Sequence, residues 1–125
     1  MPDRILAGKT VLLVEDEMLV ALDIADTLTA AGAQVVGPCT SLEDASAAAL
    51  NASIDLALLD IDLHGKEVFP AAKLLRTRGI PFAFHTGQPE REALRTEFAS
   101  APVCVKPLTA ERLVSTLANI APKAA

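Results

Sequence analysis

Five short apolar runs, separated by segments with helical spacing, constrain the fold of this 125-residue chain more than any other feature. The runs are residues 10–15, 34–38, 55–60, 80–85 and 102–105. The helical segments span about 17–31, 41–51, from 66 or 70 to 78, 89–98 and from 109 onward. Nearly continuous apolar runs indicate strands covered on both faces, and repeated strand–helix alternation requires right-handed crossovers. The sequence therefore predicts an α/β fold: a doubly wound, flavodoxin-like five-stranded parallel sheet in the order 2-1-3-4-5.

Length and composition argue against several classes of function. The length predicts one domain, residues 1–125, with a packed core at about 9–121 and a short alanine-rich tail in place of an output domain. No stretch approaches the roughly 20 apolar residues of a membrane span, and the N-terminus has no signal-peptide pattern. A net charge of −5 and the absence of Trp and Tyr argue against nucleic-acid binding. We therefore expect a soluble, cytoplasmic protein with no nucleic-acid or membrane partner.

The two cysteines fall on opposite edges of the predicted sheet. Cys39 follows the second strand and Cys104 lies in the fifth. Four strand spacings place them roughly 19 Å apart, beyond the roughly 7 Å between Cα atoms that a disulfide spans. No disulfide is expected.

Polar side chains occupy the carboxyl ends of four predicted strands. Glu15 and Asp16 follow the first strand, and Asp60 ends the third. Thr86 follows the fourth strand and Lys106 the fifth. Each residue alone is compatible with an ordinary helix cap, turn or surface position. Together they converge on one crevice, where three carboxylates raise one another's pKa unless a cation lies among them.

A hard divalent ion suits such a site. Mg²⁺, or Mn²⁺, takes oxygen ligands from a few carboxylates, waters and phosphate groups. A carboxylate beside such an ion, with a lysine and a hydroxyl nearby, is suited to accept a phosphoryl group. On this interpretation Asp60 is the nucleophile, Lys106 neutralises developing charge and Thr86 binds a phosphate oxygen.

Four segments, VLLVEDE, ALLDIDL, FHTG and VCVKPL, resemble the receiver domain of two-component response regulators, in order and spacing. The resemblance covers essentially the whole chain. It implies that Glu15, Asp16 and Asp60 hold Mg²⁺ and that the backbone carbonyl of Asp62 adds a ligand. It also implies a phosphohistidine donor on a sensor histidine kinase or phosphotransfer protein, and a cis peptide bond between Lys106 and Pro107.

Two features depart from common receivers. The run from Asp60 to Gly65 is shorter than the usual loop after the acceptor. Val103 occupies the position, three residues before the lysine, where many receivers carry an aromatic switch. We therefore predict that switching relies on Thr86 moving toward the phosphate, and that the moving region is 86–99.

Residues around the acceptor carry further predictions. Gly87 would leave the phosphate accessible, and Gln88 and Asp62 would flank the path of attacking water and set the phosphoryl lifetime. His64 is expected to be a solvated loop residue rather than a metal ligand. His85 is expected to be packed or hydrogen-bonded rather than a phosphoryl carrier.

The preferred function is thus a single-domain receiver, monomeric or weakly dimeric, that relays a phosphoryl group or signals to an unknown protein target. No enzymatic turnover is expected beyond its own phosphorylation and dephosphorylation. A phosphate-independent docking module of the same fold is an alternative. Asp60-x-Asp62 also resembles the motif of haloacid-dehalogenase-type phosphatases, but no Asp follows Asp62 to complete that metal site.

Overall fold

The computed structural model describes residues 4–122. The first three residues and the end of the alanine-rich tail lie outside the described part. The strands are β1 (Thr10–Val14), β2 (Gln34–Cys39), β3 (Leu56–Asp60), β4 (Asp62–Leu63), β5 (Lys66–Glu67), β6 (Phe82–Thr86) and β7 (Val103–Val105). The helices are α1 (Met18–Ala30), α2 (Leu42–Asn51), α3 (Phe69–Thr77), α4 (Glu92–Arg95) and α5 (Ala110–Ile120).

The main sheet has the strand order β2-β1-β3-β6-β7, with every neighbouring pair parallel. Strands β6 and β7 are the predicted fourth and fifth strands, so the predicted fold and order are confirmed. Side chains alternate between two buried apolar clusters: Leu12 and Leu59 belong to one, Leu13 and Leu58 to the other. Helix residues complete both clusters, so the sheet is covered on its two faces. In open sheets of this kind, ligands bind at the carboxyl edge.

A small hairpin that the sequence analysis did not predict follows the acceptor strand. Strands β4 and β5 pair antiparallel, with Asp62 opposite Glu67. The turn residues His64 and Gly65 have φ values of 51° and 86°. Two consecutive positive φ values are typical of the tight turns that connect hairpin strands. The short run after Asp60 is therefore an ordered hairpin, and α3 begins only after it.

The fourth helix is shorter than predicted. The prediction of a helix over 89–98 is wrong in extent, because only Glu92–Arg95 are helical and Thr96 leaves helical geometry with φ −116° and ψ −88°. Leu94 and Phe98 are buried as expected, and Phe98 stacks on Phe69 with ring centroids 5.2 Å apart. Two apolar anchors in a charged segment hold the chain in place without sustaining a longer helix.

Cys39 and Cys104 are both buried in the two edge strands, and burial raises the pKa of the Cys39 thiol. The bond between Lys106 and Pro107 is cis. Among the described helices, none has the length and apolar character needed to cross a bilayer.

Replacing Ser41 with alanine is expected to lower the free energy of unfolding by about 1 kcal/mol. The Ser41 hydroxyl oxygen accepts a hydrogen bond from the Asp44 backbone N–H, at 3.1 Å, at the start of α2. Urea denaturation measures the loss. Ser46→Ala, the same change within α2, is the matched control and is expected to leave stability unchanged or slightly higher. Equal effects of the two substitutions would contradict a capping role.

Candidate functional site

The carboxyl edge of the sheet forms an open cleft of about 790 Å³. Glu15 follows β1, Asp60 ends β3, Thr86 ends β6 and Lys106 follows β7. All four line this cleft, as does Asp16. The structure therefore brings the predicted strand-end residues together, because parallel strands deliver their last residues to the same edge.

Asp60 is a buried carboxyl group in a negatively charged setting. It is only 6% exposed, and its Oδ1 lies 3.3 Å from the Lys106 ammonium. Burial, together with the hydrogen bond to Glu15 and its charge, raises the pKa of Asp60 to about 7, while Lys106 acts in the opposite direction. One lysine therefore does not offset burial and the Glu15 carboxylate together.

Lys106 links two of the carboxylates. Its Nζ lies 3.2 Å from Glu15 Oε1 in addition to its contact with Asp60. Burial disfavours the charged amine, but the Asp60 and Glu15 carboxylates outweigh burial and raise the pKa of Lys106. Its backbone N–H donates to the Thr86 carbonyl at 2.8 Å, which ties the end of β7 to the end of β6. Lys106 therefore stays protonated and places a positive charge beside Asp60.

Asp16 joins the hairpin to the end of β1. Its Oδ2 accepts a hydrogen bond from the His64 backbone N–H at 3.1 Å, and the His64 imidazole Nδ1 lies 3.7 Å away. Burial disfavours ionisation of Asp16, but the His64 hydrogen bond and further contacts outweigh it and hold the pKa below its usual value. His64 itself is largely exposed, as expected.

The residues at the cleft fit a divalent cation. Within residues 4–122, single ligand atoms of Glu15, Asp60 and His85 lie within 4.8 Å of one another. Asp16 is ionised nearby, and Asp62 lines the same cleft. Burial and the Glu15 carboxylate both raise the pKa of Asp60, so a cation that stabilises its ionised form suits the site. The carboxylates of Glu15, Asp16 and Asp60 offer the oxygen ligands that a hard cation prefers.

His85 lies against Glu15 in the cleft, a contact that the sequence analysis did not predict. It is packed as expected, with 1% exposure, and its Nε2 lies 3.8 Å from Glu15 Oε1. This nitrogen has no hydrogen-bond partner in the described part of the chain. Burial and the charge of Lys106 lower the pKa of His85 to about 4. His85 is therefore a neutral imidazole, and its sheet partner in β3 is Asp60.

Arg91 is a second residue that sequence reasoning missed. Its Nη2 contacts Asp62 Oδ2 at 2.5 Å and Gln88 Oε1 at 3.0 Å. Its Nη1 contacts Glu67 Oε2 at 2.6 Å. The guanidinium therefore connects the hairpin to the loop after β6. Asp62 and Gln88, the two residues predicted to flank the acceptor, are both held by this one side chain.

The end of β6 and the loop that follows it contain three of the predicted switch residues, Thr86, Gly87 and Gln88. The Thr86 hydroxyl oxygen accepts a hydrogen bond from the Gln88 backbone N–H at 3.0 Å, across Gly87. Val103 pairs with Phe84 in the sheet and packs against the apolar cluster beneath it. One hydrogen bond therefore connects the Thr86 hydroxyl to the loop, and the hydroxyl can give up this contact for another partner.

Replacing Arg91 with alanine is expected to speed amide hydrogen exchange in 62–67 and to lower the free energy of unfolding by about 1 kcal/mol or less. The effect on stability is small because the Asp62 and Glu67 side chains are more than half exposed. Arg95→Ala, on the exposed side of α4, is the control. Unchanged exchange in the hairpin would contradict the proposed connection.

Solved structures with the same fold identify the family. The REC domain of the response regulator PhyR from Erythrobacter litoralis is 26% identical, with a TM-score of 0.79, over 96% of this chain and 98% of that chain. SdrG from Sphingomonas melonis Fr1 is 32% identical, with a TM-score of 0.77, over 90% of this chain and 95% of that chain. This chain is a response regulator receiver domain. The family resemblance noted in the sequence is confirmed.

The receiver domain of the sensor histidine kinase PA1611 from Pseudomonas aeruginosa shares the fold, at 22% identity and a TM-score of 0.77 over 91% of this chain and 98% of that chain. That structure has a magnesium ion coordinated in its active site cleft. The receiver covers 50% of the longer PhyR chain from Brucella abortus. No protein-family model and no curated protein matches the sequence.

Proposed function

We propose that this receiver accepts a phosphoryl group on Asp60 in a Mg²⁺-dependent reaction. The donor is a phosphohistidine on a sensor histidine kinase or a phosphotransfer protein. The observation that carries this proposal is the buried Asp60 carboxyl group beside Lys106 and Glu15 at the open end of the sheet. Such a carboxylate is pre-positioned for attack on phosphorus from the cleft.

The residues have separate tasks in the transfer. An Asp60 oxygen forms a bond to phosphorus while the bond from phosphorus to the donor nitrogen breaks, and the departing nitrogen keeps the electron pair. Lys106 neutralises charge on the transferred group, and the Thr86 hydroxyl donates to one of its oxygens. Mg²⁺ would be held by Asp16, Glu15, Asp60 and the Asp62 carbonyl, and when bound it neutralises phosphoryl charge.

The response to phosphorylation follows from the hydrogen bond of Thr86. When the hydroxyl turns toward the phosphoryl group, its contact with the Gln88 N–H is given up. Gln88 is also held by Arg91, so the change passes to the hairpin and to the short α4. We place the moving region at 86–99. Val103 offers no aromatic ring to flip, so Thr86 and the Arg91 contacts carry the switch.

Gly87 leaves the cleft accessible, and the Asp62 and Gln88 side chains set the phosphoryl lifetime from positions fixed by Arg91. The protein signals by protein contact or relays the phosphoryl group, as a monomer or weak dimer, without turning over a separate substrate. We propose a cytoplasmic location, because two buried, widely separated thiols suit a reducing compartment.

Phosphoramidate tests the proposal, because its P–N bond resembles that of phosphohistidine. With Mg²⁺, intact-mass spectrometry is expected to show one added phosphoryl group that hydroxylamine removes, as an acyl phosphate requires. Without a divalent ion the reaction is expected to be strongly slowed. Absence of modification with Mg²⁺, or a modification that resists hydroxylamine, would exclude Asp60 as the acceptor.

A further inference from the structure

The buried imidazole of His85 is not used by the proposed transfer. Its Nε2 has no hydrogen-bond partner among the described residues, although the side chain is 1% exposed. Burying a polar atom without a partner is costly, so such an atom calls for a ligand or a role. This nitrogen lies 3.8 Å from Glu15 Oε1, the same carboxylate oxygen that Lys106 contacts.

The surrounding geometry matches three ligands of one small cation. Atoms that coordinate a single zinc ion at about 2.0–2.2 Å lie roughly 3–4 Å from one another. Ligand atoms of Glu15, Asp60 and His85 already lie within 4.8 Å of one another. Asp60 and His85 are partners in neighbouring strands, which fixes their relative positions. Small side-chain movements therefore suffice to close the site.

We propose that Glu15, Asp60 and His85 form a second cation position, which binds Zn²⁺ in place of the Lys106 ammonium. Zinc accepts mixed nitrogen and carboxylate ligands with a water completing the shell, whereas Mg²⁺ prefers oxygen ligands alone. Lys106 contacts both carboxylates now, and its side chain is 35% exposed, so it has a path to solvent. A doubly charged ion compensates the two carboxylates better than one ammonium does.

Zinc at this position would oppose phosphorylation. It would engage an oxygen of Asp60 and displace the lysine that neutralises the transferred group. This consequence rests on the proposed function, whereas zinc binding itself does not.

Calorimetric titration of the tag-free chain with Zn²⁺ tests the site. His85→Gln is expected to raise the dissociation constant at least about tenfold, because loss of a direct ligand costs no less than loss of the hydrogen-bond partner of one. His64→Asn is the matched control, because it removes the other histidine and Asn tolerates the positive φ there. Cys104→Ser controls for the thiol of the residue paired with His85. Both controls are expected to leave the dissociation constant little changed.

An NMR measurement on the wild type gives a test that does not depend on whether the variants fold. The ¹⁵N signal of His85 Nε2 is expected to shift on addition of Zn²⁺, and that of His64 to stay in place. An unmoved His85 signal, or binding lost only with His64 or Cys104, overturns the proposal. Phosphoramidate labelling with Mg²⁺ runs in parallel: labelling without zinc at His85 overturns this inference alone, and zinc at His85 without labelling supports the site and overturns the proposed function.

Discussion

Asp60→Asn is expected to abolish phosphoryl acceptance and, at about pH 8 without Mg²⁺, to raise the free energy of unfolding by about 2–4 kcal/mol. The amide lacks the anionic oxygen that attacks phosphorus. Stability rises because the wild-type protein must hold an ionised Asp60 whose pKa burial and Glu15 raise to about 7. The amide removes that unfavourable charge.

Urea denaturation and phosphoramidate labelling measure the two effects. Asp26→Asn is the matched control, since Asp26 lies exposed on α1 and the chemical change is the same. It is expected to leave both labelling and stability close to those of the wild type. A less stable Asp60→Asn protein at this pH would contradict the electrostatic account, and residual labelling of that variant would exclude Asp60 as the sole acceptor.

The stability difference between the wild type and Asp60→Asn is expected to depend on pH. Folding raises the pKa of Asp60 from an ordinary value of 3.8 to about 7, so between these values the folded state binds the proton more than the unfolded state does. The contribution of Asp60 to stability is therefore full below about pH 4 and is lost as the pH rises toward about 7. The loss amounts to a few kcal/mol and is complete slightly above pH 7.

Denaturation of both proteins from about pH 4 to pH 8 tests this dependence, since groups shared by the two chains cancel in the difference. Saturating Mg²⁺ is expected to reduce the slope, because a cation binds the ionised carboxylate and stabilises the folded state. A difference that stays constant, or that favours the wild type increasingly as the pH rises, would contradict the raised pKa.

The fold and the main residues of the site follow from local patterns. Each strand appears as a short apolar run, and the alternation with helices determines that the strands are parallel. Parallel strands then bring Asp60, Thr86 and Lys106 to one edge, whatever the details of the loops. This is why residues up to 91 positions apart in sequence could be placed together before the structure was known.

The features that escaped prediction depend on contacts between distant segments. Strand alternation does not show that His85 reaches Glu15, because both lie at strand ends where side chains can lean into the cleft. In the sequence, Arg91 is one charged residue among many in its segment. Its contacts with Asp62 and Glu67 become visible only in the folded chain, where the hairpin and the loop after β6 are adjacent. The length of α4 depends on how Leu94 and Phe98 pack against the core, which composition alone does not determine.

Amide NMR with Mg²⁺, before and after addition of beryllofluoride, tests the central claim most directly, because this phosphoryl mimic binds the acceptor carboxylate. In the wild type we expect shifts centred on Asp60 that extend through Thr86 to Lys106, and none in Asp60→Asn. A wild-type spectrum that beryllofluoride leaves unchanged would contradict phosphoryl switching and favour a docking module that keeps the receiver fold without its chemistry.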